Sequence, residues 1–303
     1  MSTANTTQLR ELASHVRGHA LWGEPLAGHT TWGCGGPAEL LIVPADVSDL
    51  VRALDFCQAR GLPWRVMGNG SNLLVADAGL PGVVFKLRGT LEALEIRGER
   101  VCAGAGLMLP VLVQAAARQG LAGLETLAGI PGTVGGALAM NAGAFGRSLG
   151  ECVLAATFWE AGRGVRTLGG EELGFAYRDS LLRHGRRVAL EAELALARDD
   201  PQSIEARMRD YLTRRRQSQP QGVRSAGSVF RNPEAAPAGA LIERAGLKGE
   251  RCGGAEVSPR HANFIVNRGG ATACDIRALI ALVQERVRRD SGVELVCEVD
   301  IWE

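Results

Sequence analysis

Residues 129–146 read GIPGTVGGALAMNAGAFG, and this stretch decides the fold. Six glycines and four alanines take ten of its eighteen positions, and none of its side chains is charged. Glycine tolerates positive φ and lets other groups approach the backbone closely. A second segment, GNGSN at 68–72, uses glycine as densely and follows an apolar, strand-like run. Glycine-rich turns after strands present backbone N–H groups, which bind phosphate oxygens. A tight loop with no ligand is the plain alternative for GNGSN alone; a second glycine turn followed by MNAGAFG weighs against it.

Two familiar phosphate motifs do not fit. The dinucleotide fingerprint GxGxxG needs a third glycine at 73, where Leu73 stands, and a helix start rather than the apolar run that follows. The P-loop needs Gly-Lys-Ser/Thr, which neither stretch contains. A wide, uncharged surface of small residues suits a large flat ring beside a pyrophosphate, and FAD has that form.

The chain has 303 residues, 46% hydrophobic, with a formal charge of +1. That length buries a full core and predicts two domains or one large one. The charge balance gives no sign of a nucleic-acid or membrane surface, so a small-molecule partner is expected. Seven cysteines are widely spaced with no CxxC pair, which argues against a disulfide framework and a zinc site. The five histidines, His15, His19, His29, His184 and His261, form no ligand spacing, so no metal is expected. The start, MSTANTTQLR, lacks a secretory pattern, and the uncharged stretch 126–146 is too rich in Gly, Pro and Asn for a membrane span. A cytoplasmic location is expected.

Periodicity predicts a helix or tail over the first residues and a strand at 37–44. A helix follows at 48–61, capped by Ser48 and ended by Gly61. Strand, glycine turn and strand are expected over 63–77, and another strand at 82–87. Hairpins follow at 92–106 and 153–168, a helix at 109–119 and a strand at 187–196. Composition changes after Ala197. A basic helix at 204–220, helices near 239–246 and 274–290, and a final strand VELVCEVDIW complete the chain. The division is read as an N-terminal tail or helix (1–25), a cofactor domain (26–198) and a C-terminal domain (199–303).

The motifs in order resemble the UDP-N-acetylenolpyruvoylglucosamine reductase (MurB) family of peptidoglycan synthesis. The resemblance rests on GNGSNLLVAD, GIPGTVGGALAMNAGAFG, AYRDSLL (176–182), SAGSVFRNP (225–233), GALIERAGLKGERCGGAEVSPRHANFIVN (239–267) and CEVDIW (297–302). It covers nearly the whole chain after residue 25. It implies an α+β fold: an FAD-binding domain of the PCMH/vanillyl-alcohol-oxidase type, and a smaller α+β substrate domain. It implies non-covalent FAD, NADPH as hydride donor, and an enolpyruvyl UDP-sugar reduced to UDP-N-acetylmuramate.

Residue by residue, the resemblance places FAD on Gly68, Asn69, Gly70, Ser71, Asn72 and Leu73, and on Gly129, Pro131, Gly132, Thr133, Gly136, Asn141, Ala142 and Gly143. Arg178 matches the arginine that steadies charge building on the substrate carboxylate. Ser228 matches the serine acid that protonates C2, and Glu298 the C-terminal glutamate, with Glu294 as its rival. Tyr177 is expected beside substrate or flavin, with core packing as the alternative. Asn232 is expected on substrate, and Arg216 is preferred over Arg214 and Arg215 for the UDP phosphates. His261 is given no catalytic role.

Only fifty positions separate Arg178 from Ser228, and Tyr211 is the one tyrosine between them. The chain therefore resembles the shorter, type II members, which lack an inserted tyrosine loop. Two other classes remain at this point. One is a flavin oxidase or dehydrogenase of the same fold acting on hydroxy acids or sugars. The other is a non-catalytic flavin or nucleotide-sugar binding protein. Neither needs Arg178, Ser228 and Glu298 together.

Overall fold

The computed structural model describes residues 3–303, with side chains from residue 6 onward. The chain divides into two compact units, each built from separated segments. The first takes the chain up to Trp22, Glu39–Asn69 and Pro81–Thr213; the second takes Gly23–Ala38, Gly70–Leu80 and Arg214–Glu303. The compositional change near residue 200 marks the start of a helix, and the units divide further on, inside that helix.

In the first unit, helix α1 (Thr3–His15) precedes α2 (Val47–Arg60). Leu50, Ala53, Leu54 and Cys57 are buried on one face of α2, at the helical spacing of three and four. Its cap is Asp46, not Ser48: the Asp46 carboxylate accepts from the Asp49 N–H, and a carboxylate is also favoured by the helix dipole. Gly61 ends the helix in the left-handed conformation, as expected. A four-stranded sheet has the order His19–Pro25, Pro37–Val43, Leu80–Lys86, Trp64–Met67. The stretch expected as N-terminal tail or helix thus also contains a strand; residues 1–2 lie outside the described residues.

The other sheet of this unit is antiparallel and five-stranded, ordered Gly164–Gly169, Val153–Glu160, Arg187–Ala195, Arg100–Gly104, Leu94–Arg97. Both expected hairpins form its edges. Helix α3 (Leu109–Arg118) buries Leu109, Leu112, Val113 and Ala116. The glycine stretch itself contains a short helix, α4 (Val134–Ala139), which packs on strand Arg187–Ala195. Its small residues hide the helical period, so no local pattern marks it. Helix α5 (Pro201–Ser218) begins with the proline that fits a first helical turn.

The second unit has its own core, which includes Trp32, Leu74, Val229, Phe230, Ile265 and Ile276. A four-stranded antiparallel sheet runs Arg224–Ser225, Ile265–Asn267, Ala255–Val257, Arg251–Cys252. Helix α6 (Ala238–Arg244) packs with α7 (Ala273–Ser291). Helix α7 buries Ile276, Leu279, Ile280, Val283 and Val287, is opened by a Thr272–Asp275 capping box and closed by Gly292.

The chain end corrects one expectation. Only Asp300–Trp302 is strand, not the whole of 293–302, and it pairs in parallel with Leu73–Val75. Before it, Cys297 makes a single antiparallel bridge to Phe230, so the segment changes partner midway. The distant segments that join this unit are tied in by Trp32, whose Nε1–H donates to the Ile265 carbonyl at 2.8 Å. Such partners lie more than 200 residues apart, beyond any local pattern.

Candidate functional site

The first unit holds one glycine loop and the arginine motif. Asn69 is bound twice: its Nδ2 donates to the Pro131 carbonyl at 2.6 Å, and its Oδ1 accepts from Arg88 at 2.9 Å. Gly68 must be glycine, since a Cβ there would stand 2.2 Å from Thr133 Oγ1. Thr133 caps α4, accepting from the Gly136 N–H. The Gly132 carbonyl accepts from Leu109, and the Thr133 carbonyl from Ala137. The N–H groups of Gly132 and Thr133, by contrast, have no acceptor among the described residues. A loop with its carbonyls tied back and its N–H groups unspent is suited to an anion.

Asn141 connects that loop to the arginine motif. It is buried, with φ +41°, and its Nδ2 donates to the Ala176 carbonyl at 2.8 Å. Its Oδ1 accepts from the Gly150 N–H at 2.9 Å. Ser180 makes a second tie, Oγ to the Ala139 carbonyl at 3.0 Å. Ala142 lies between these ties, its N–H on the Ala137 carbonyl, and Gly143 starts the small hairpin that follows. Ala176 and Asp179 exchange both backbone hydrogen bonds, which leaves Tyr177 and Arg178 at the tip of a two-residue turn. Arg178 has φ +57°. That conformation costs a non-glycine residue about 1–2 kcal/mol, so the fold holds an arginine where glycine would be easier. Tyr177 is 54% exposed and is no core residue; the Arg178 guanidinium lies 5.3 Å from its ring centre.

The second unit holds the remaining residues. The Gly70 carbonyl accepts from the Thr31 N–H at 3.1 Å, and the Asn72 carbonyl from Asp300 at 2.9 Å. The N–H groups of Gly70, Ser71 and Asn72 have no acceptor among the described residues, the same polarity as at Gly132 and Thr133. Gly70 has φ +66° and a Cβ there would meet the His29 carbonyl at 2.0 Å. Leu73 opens the strand that pairs with Asp300. Asn72 also donates from Nδ2 to the Glu298 carbonyl at 3.1 Å.

Ser228 and Glu298 stand on adjacent segments. Gly227, at φ +77°, turns the chain into Ser228. The Glu298 N–H then donates to the carbonyl of Val229, the next residue, at 2.8 Å. Buried Asn263 fixes the other edge: its Oδ1 accepts from Phe230 at 2.9 Å, and its Nδ2 donates to the Phe230 carbonyl at 2.8 Å. Half-buried Ser228 therefore sits on a backbone bonded from both sides. Glu294 lies before this pairing begins.

Asn232 has an evident local task, since its Oδ1 accepts from the Ala238 N–H at the start of α6 at 3.0 Å. Arg216 is exposed near the end of α5, where Arg260 grips the carbonyls of Arg216 and Gln217 at 2.7 and 2.8 Å. His261 is structural: its Nδ1 accepts from the Asn263 N–H at 3.2 Å, and burial lowers its pKa, so it stays neutral.

Two supports were missed by sequence reasoning. Arg88 holds Asn69. Asp77 accepts from the N–H groups of Ala273 and Cys274 at 2.8 and 2.9 Å, fixing the start of α7 beside the strand that follows the glycine loop. No local signal marks either, because each acts on a partner distant in sequence.

Comparison with known families adds the class. Residues 38–168 match the FAD binding domain model, and residues 219–302 match the model for the C-terminal domain of UDP-N-acetylenolpyruvoylglucosamine reductase. The chain is thus a flavin oxidoreductase with an FAD-binding domain of the PCMH-like, α+β kind. It is 45% identical over 294 residues to UDP-N-acetylenolpyruvoylglucosamine reductase of Heliobacterium modesticaldum, covering 97% of this chain and 94% of that one. It is 42% identical to the Bacillus subtilis enzyme of the same name, over 97% of both chains. The crystal structure of MurB from Thermus caldophilus superposes with a TM-score of 0.81 at 39% identity, covering 95% of this chain and 99% of that one. The chain belongs to the UDP-N-acetylenolpyruvoylglucosamine reductase family. No helix among the described residues is long and apolar enough to cross a membrane.

Proposed function

We propose that this chain reduces the enolpyruvyl ether of UDP-N-acetylglucosamine to UDP-N-acetylmuramate, with NADPH as reductant. The observation that carries the proposal is the strained Arg178 turn. Backbone strain and two side-chain ties, from Asn141 and Ser180, hold one half-buried arginine at the tip of this turn. FAD, when bound, supplies the hydride that NADPH provides and that is added to C3 of the enolpyruvyl group. The unpaired N–H groups of Gly132–Thr133 in the first unit, and those of Gly70–Asn72 in the second, are each suited to phosphate oxygens such as those of FAD. The remaining cofactor contacts are assigned to Gly68, Asn69, Leu73, Gly129, Pro131, Gly136, Asn141, Ala142 and Gly143.

Arg178 meets the substrate carboxylate. Addition at C3 pushes electron density onto that group, and a guanidinium fixed beforehand stabilises it without reorganising. Ser228 Oγ–H delivers the proton to C2. A hydroxyl is a weak acid, and it is adequate because the carbon it meets is strongly basic. Glu298 orients the carboxylate end from the segment bonded to Val229. Tyr177, Arg216 and Asn232 contact the nucleotide-sugar. Cytoplasmic placement fits soluble nucleotide reactants and seven free thiols.

The direct test is product identity. Incubation with the enolpyruvyl nucleotide and NADPH should give a product heavier by two hydrogens, with one NADPH oxidised for each product formed. Oxidation of a hydroxy acid or sugar with no such product would instead favour the oxidase or dehydrogenase reading.

A further inference from the structure

Residues 178 and 179 of the arginine motif are each gripped by the side chain five positions further on. Arg183 Nη1–H donates to the Arg178 carbonyl at 3.0 Å. His184 Nε2 lies 2.8 and 2.9 Å from the two oxygens of the Asp179 carboxylate. A short 3-10 helix, Leu181–Arg183, brings the chain back far enough for this reach. Ser180 caps it, its Oγ accepting from the Leu182 N–H at 3.2 Å.

The base of this clamp is itself fixed. Arg187 opens the central strand of the five-stranded sheet, and its Nη1 donates to the carbonyls of Leu181 and His184 at 3.3 and 2.7 Å. Its Nε donates at 2.9 Å to buried Glu160 on the neighbouring strand. The sheet thus holds the short helix, and the short helix holds the turn.

A left-handed residue such as Arg178, at φ +57°, persists only where its surroundings fix it. The Asn141 and Ser180 ties act on either side of the turn. Arg183 bonds Arg178 itself, and a charged donor makes a stronger bond to a carbonyl than a neutral one. The Asp179 carboxyl lies below its ordinary pKa, chiefly through the His184 hydrogen bond, and the charge of Arg183 lowers it further. Asp179 is therefore ionised, and its charge offsets that of Arg183 within the clamp.

We propose that Arg183 is a positioning residue for Arg178: its bond to the Arg178 carbonyl holds the strained turn in the conformation that presents the Arg178 guanidinium to the substrate carboxylate. This inference rests on the function proposed above. A cation stabilises developing charge best when it need not move as the charge appears, and a backbone clamped at the arginine itself supplies that rigidity.

The experiment is a double-mutant cycle read by stopped flow. FAD-loaded protein is reduced with NADPH and then mixed with saturating enolpyruvyl nucleotide. Arg183→Ala should leave reduction by NADPH within about twofold of wild type. It should slow reoxidation by about 10- to 100-fold, the loss of one hydrogen bond from a charged donor expressed at the transition state. Arg183→Lys keeps a charged donor and should recover reoxidation to within about fivefold of wild type. In protein that already carries Arg178→Ala, adding Arg183→Ala should slow reoxidation by less than about twofold, because the group it positions is gone. An arginine that only stabilises the fold would cost the same factor in both backgrounds, and that additive result would overturn the inference. Reoxidation of Arg183→Ala within about twofold of wild type would overturn it too, as would equal slowing of the NADPH step. If Arg183→Ala does not fold, Arg183→Gln, which keeps only a neutral donor, takes its place in the same cycle. Wild-type protein that NADPH reduces and the nucleotide does not reoxidise would sink the functional reading, and the inference with it. Wild-type turnover with an additive cycle would sink the inference alone.

Discussion

Asn72 Nδ2 donates to the carbonyl of Glu298 at 3.1 Å, joining residues 226 positions apart. The Asn72 carbonyl in turn accepts from the Asp300 N–H. A residue assigned to the flavin loop and one assigned to the substrate carboxylate are thus parts of one bonded element. Glu298 is further coupled to the Ser228 segment through Val229. Any change that loosens Asn72 should therefore be felt at the acid as well as at the cofactor. Asn72→Ala should weaken FAD retention and also lower the rate of flavin reoxidation by substrate in protein kept saturated with FAD. Unchanged reoxidation in saturated protein would separate the two roles.

Ser228→Ala should leave flavin reduction by NADPH within about twofold and slow reoxidation by the enolpyruvyl nucleotide by about 10²- to 10⁴-fold. Only the second step needs a proton from the protein. Equal loss in both steps, measured by stopped flow, would make Ser228 a structural residue.

Arg178→Gly should separate stability from activity. Glycine adopts φ +57° freely, so the thermal midpoint should hold or rise, strain relief of about 1 kcal/mol being offset by glycine's chain entropy. Turnover should fall by at least about 10²-fold, since the fixed cation at the developing charge is lost. A variant that is both less stable and fully active would contradict the account of this turn.

Asn141→Ala removes the acceptor for Gly150 N–H and the donor to Ala176. The two groups left unpaired should cost about 1–3 kcal/mol in stability. The Tyr177–Arg178 tip should also lose its footing, lowering kcat. Denaturant unfolding alongside steady-state kinetics checks both, and full activity would show that the tie does not position Arg178.

His261 predicts a pH dependence. Burial lowers its pKa from 6.5, so the unfolded chain binds the proton more readily than the fold does. Its contribution to stability is present above the unfolded pKa and is lost as pH falls below about 6.5. His261→Asn should reduce the loss of stability between pH 7 and pH 5, and an unchanged slope would remove His261 from that dependence.

Much of this was legible in the sequence because it was local. The α2 and α7 faces, the two hairpins and the glycine loops all follow from short-range spacing, and the motif order identified the family. What escaped depends on long-range pairing. The last strand shrank to Asp300–Trp302 because its partner is Leu73–Val75, while Cys297 turns to Phe230. Helix α4 was hidden because glycine and alanine carry no apolar period. Asp46 rather than Ser48 caps α2 because its carboxylate reaches the Asp49 N–H. Arg178 could be named only by resemblance, and its strained turn became visible only with the backbone.

The most direct test of the central claim is an anaerobic absorption spectrum of the purified protein, with NADPH added first and the enolpyruvyl nucleotide second. The flavin bands should bleach with NADPH and return in full with the nucleotide. Bands that bleach and do not return would contradict the proposed reaction while leaving the flavin fold in place.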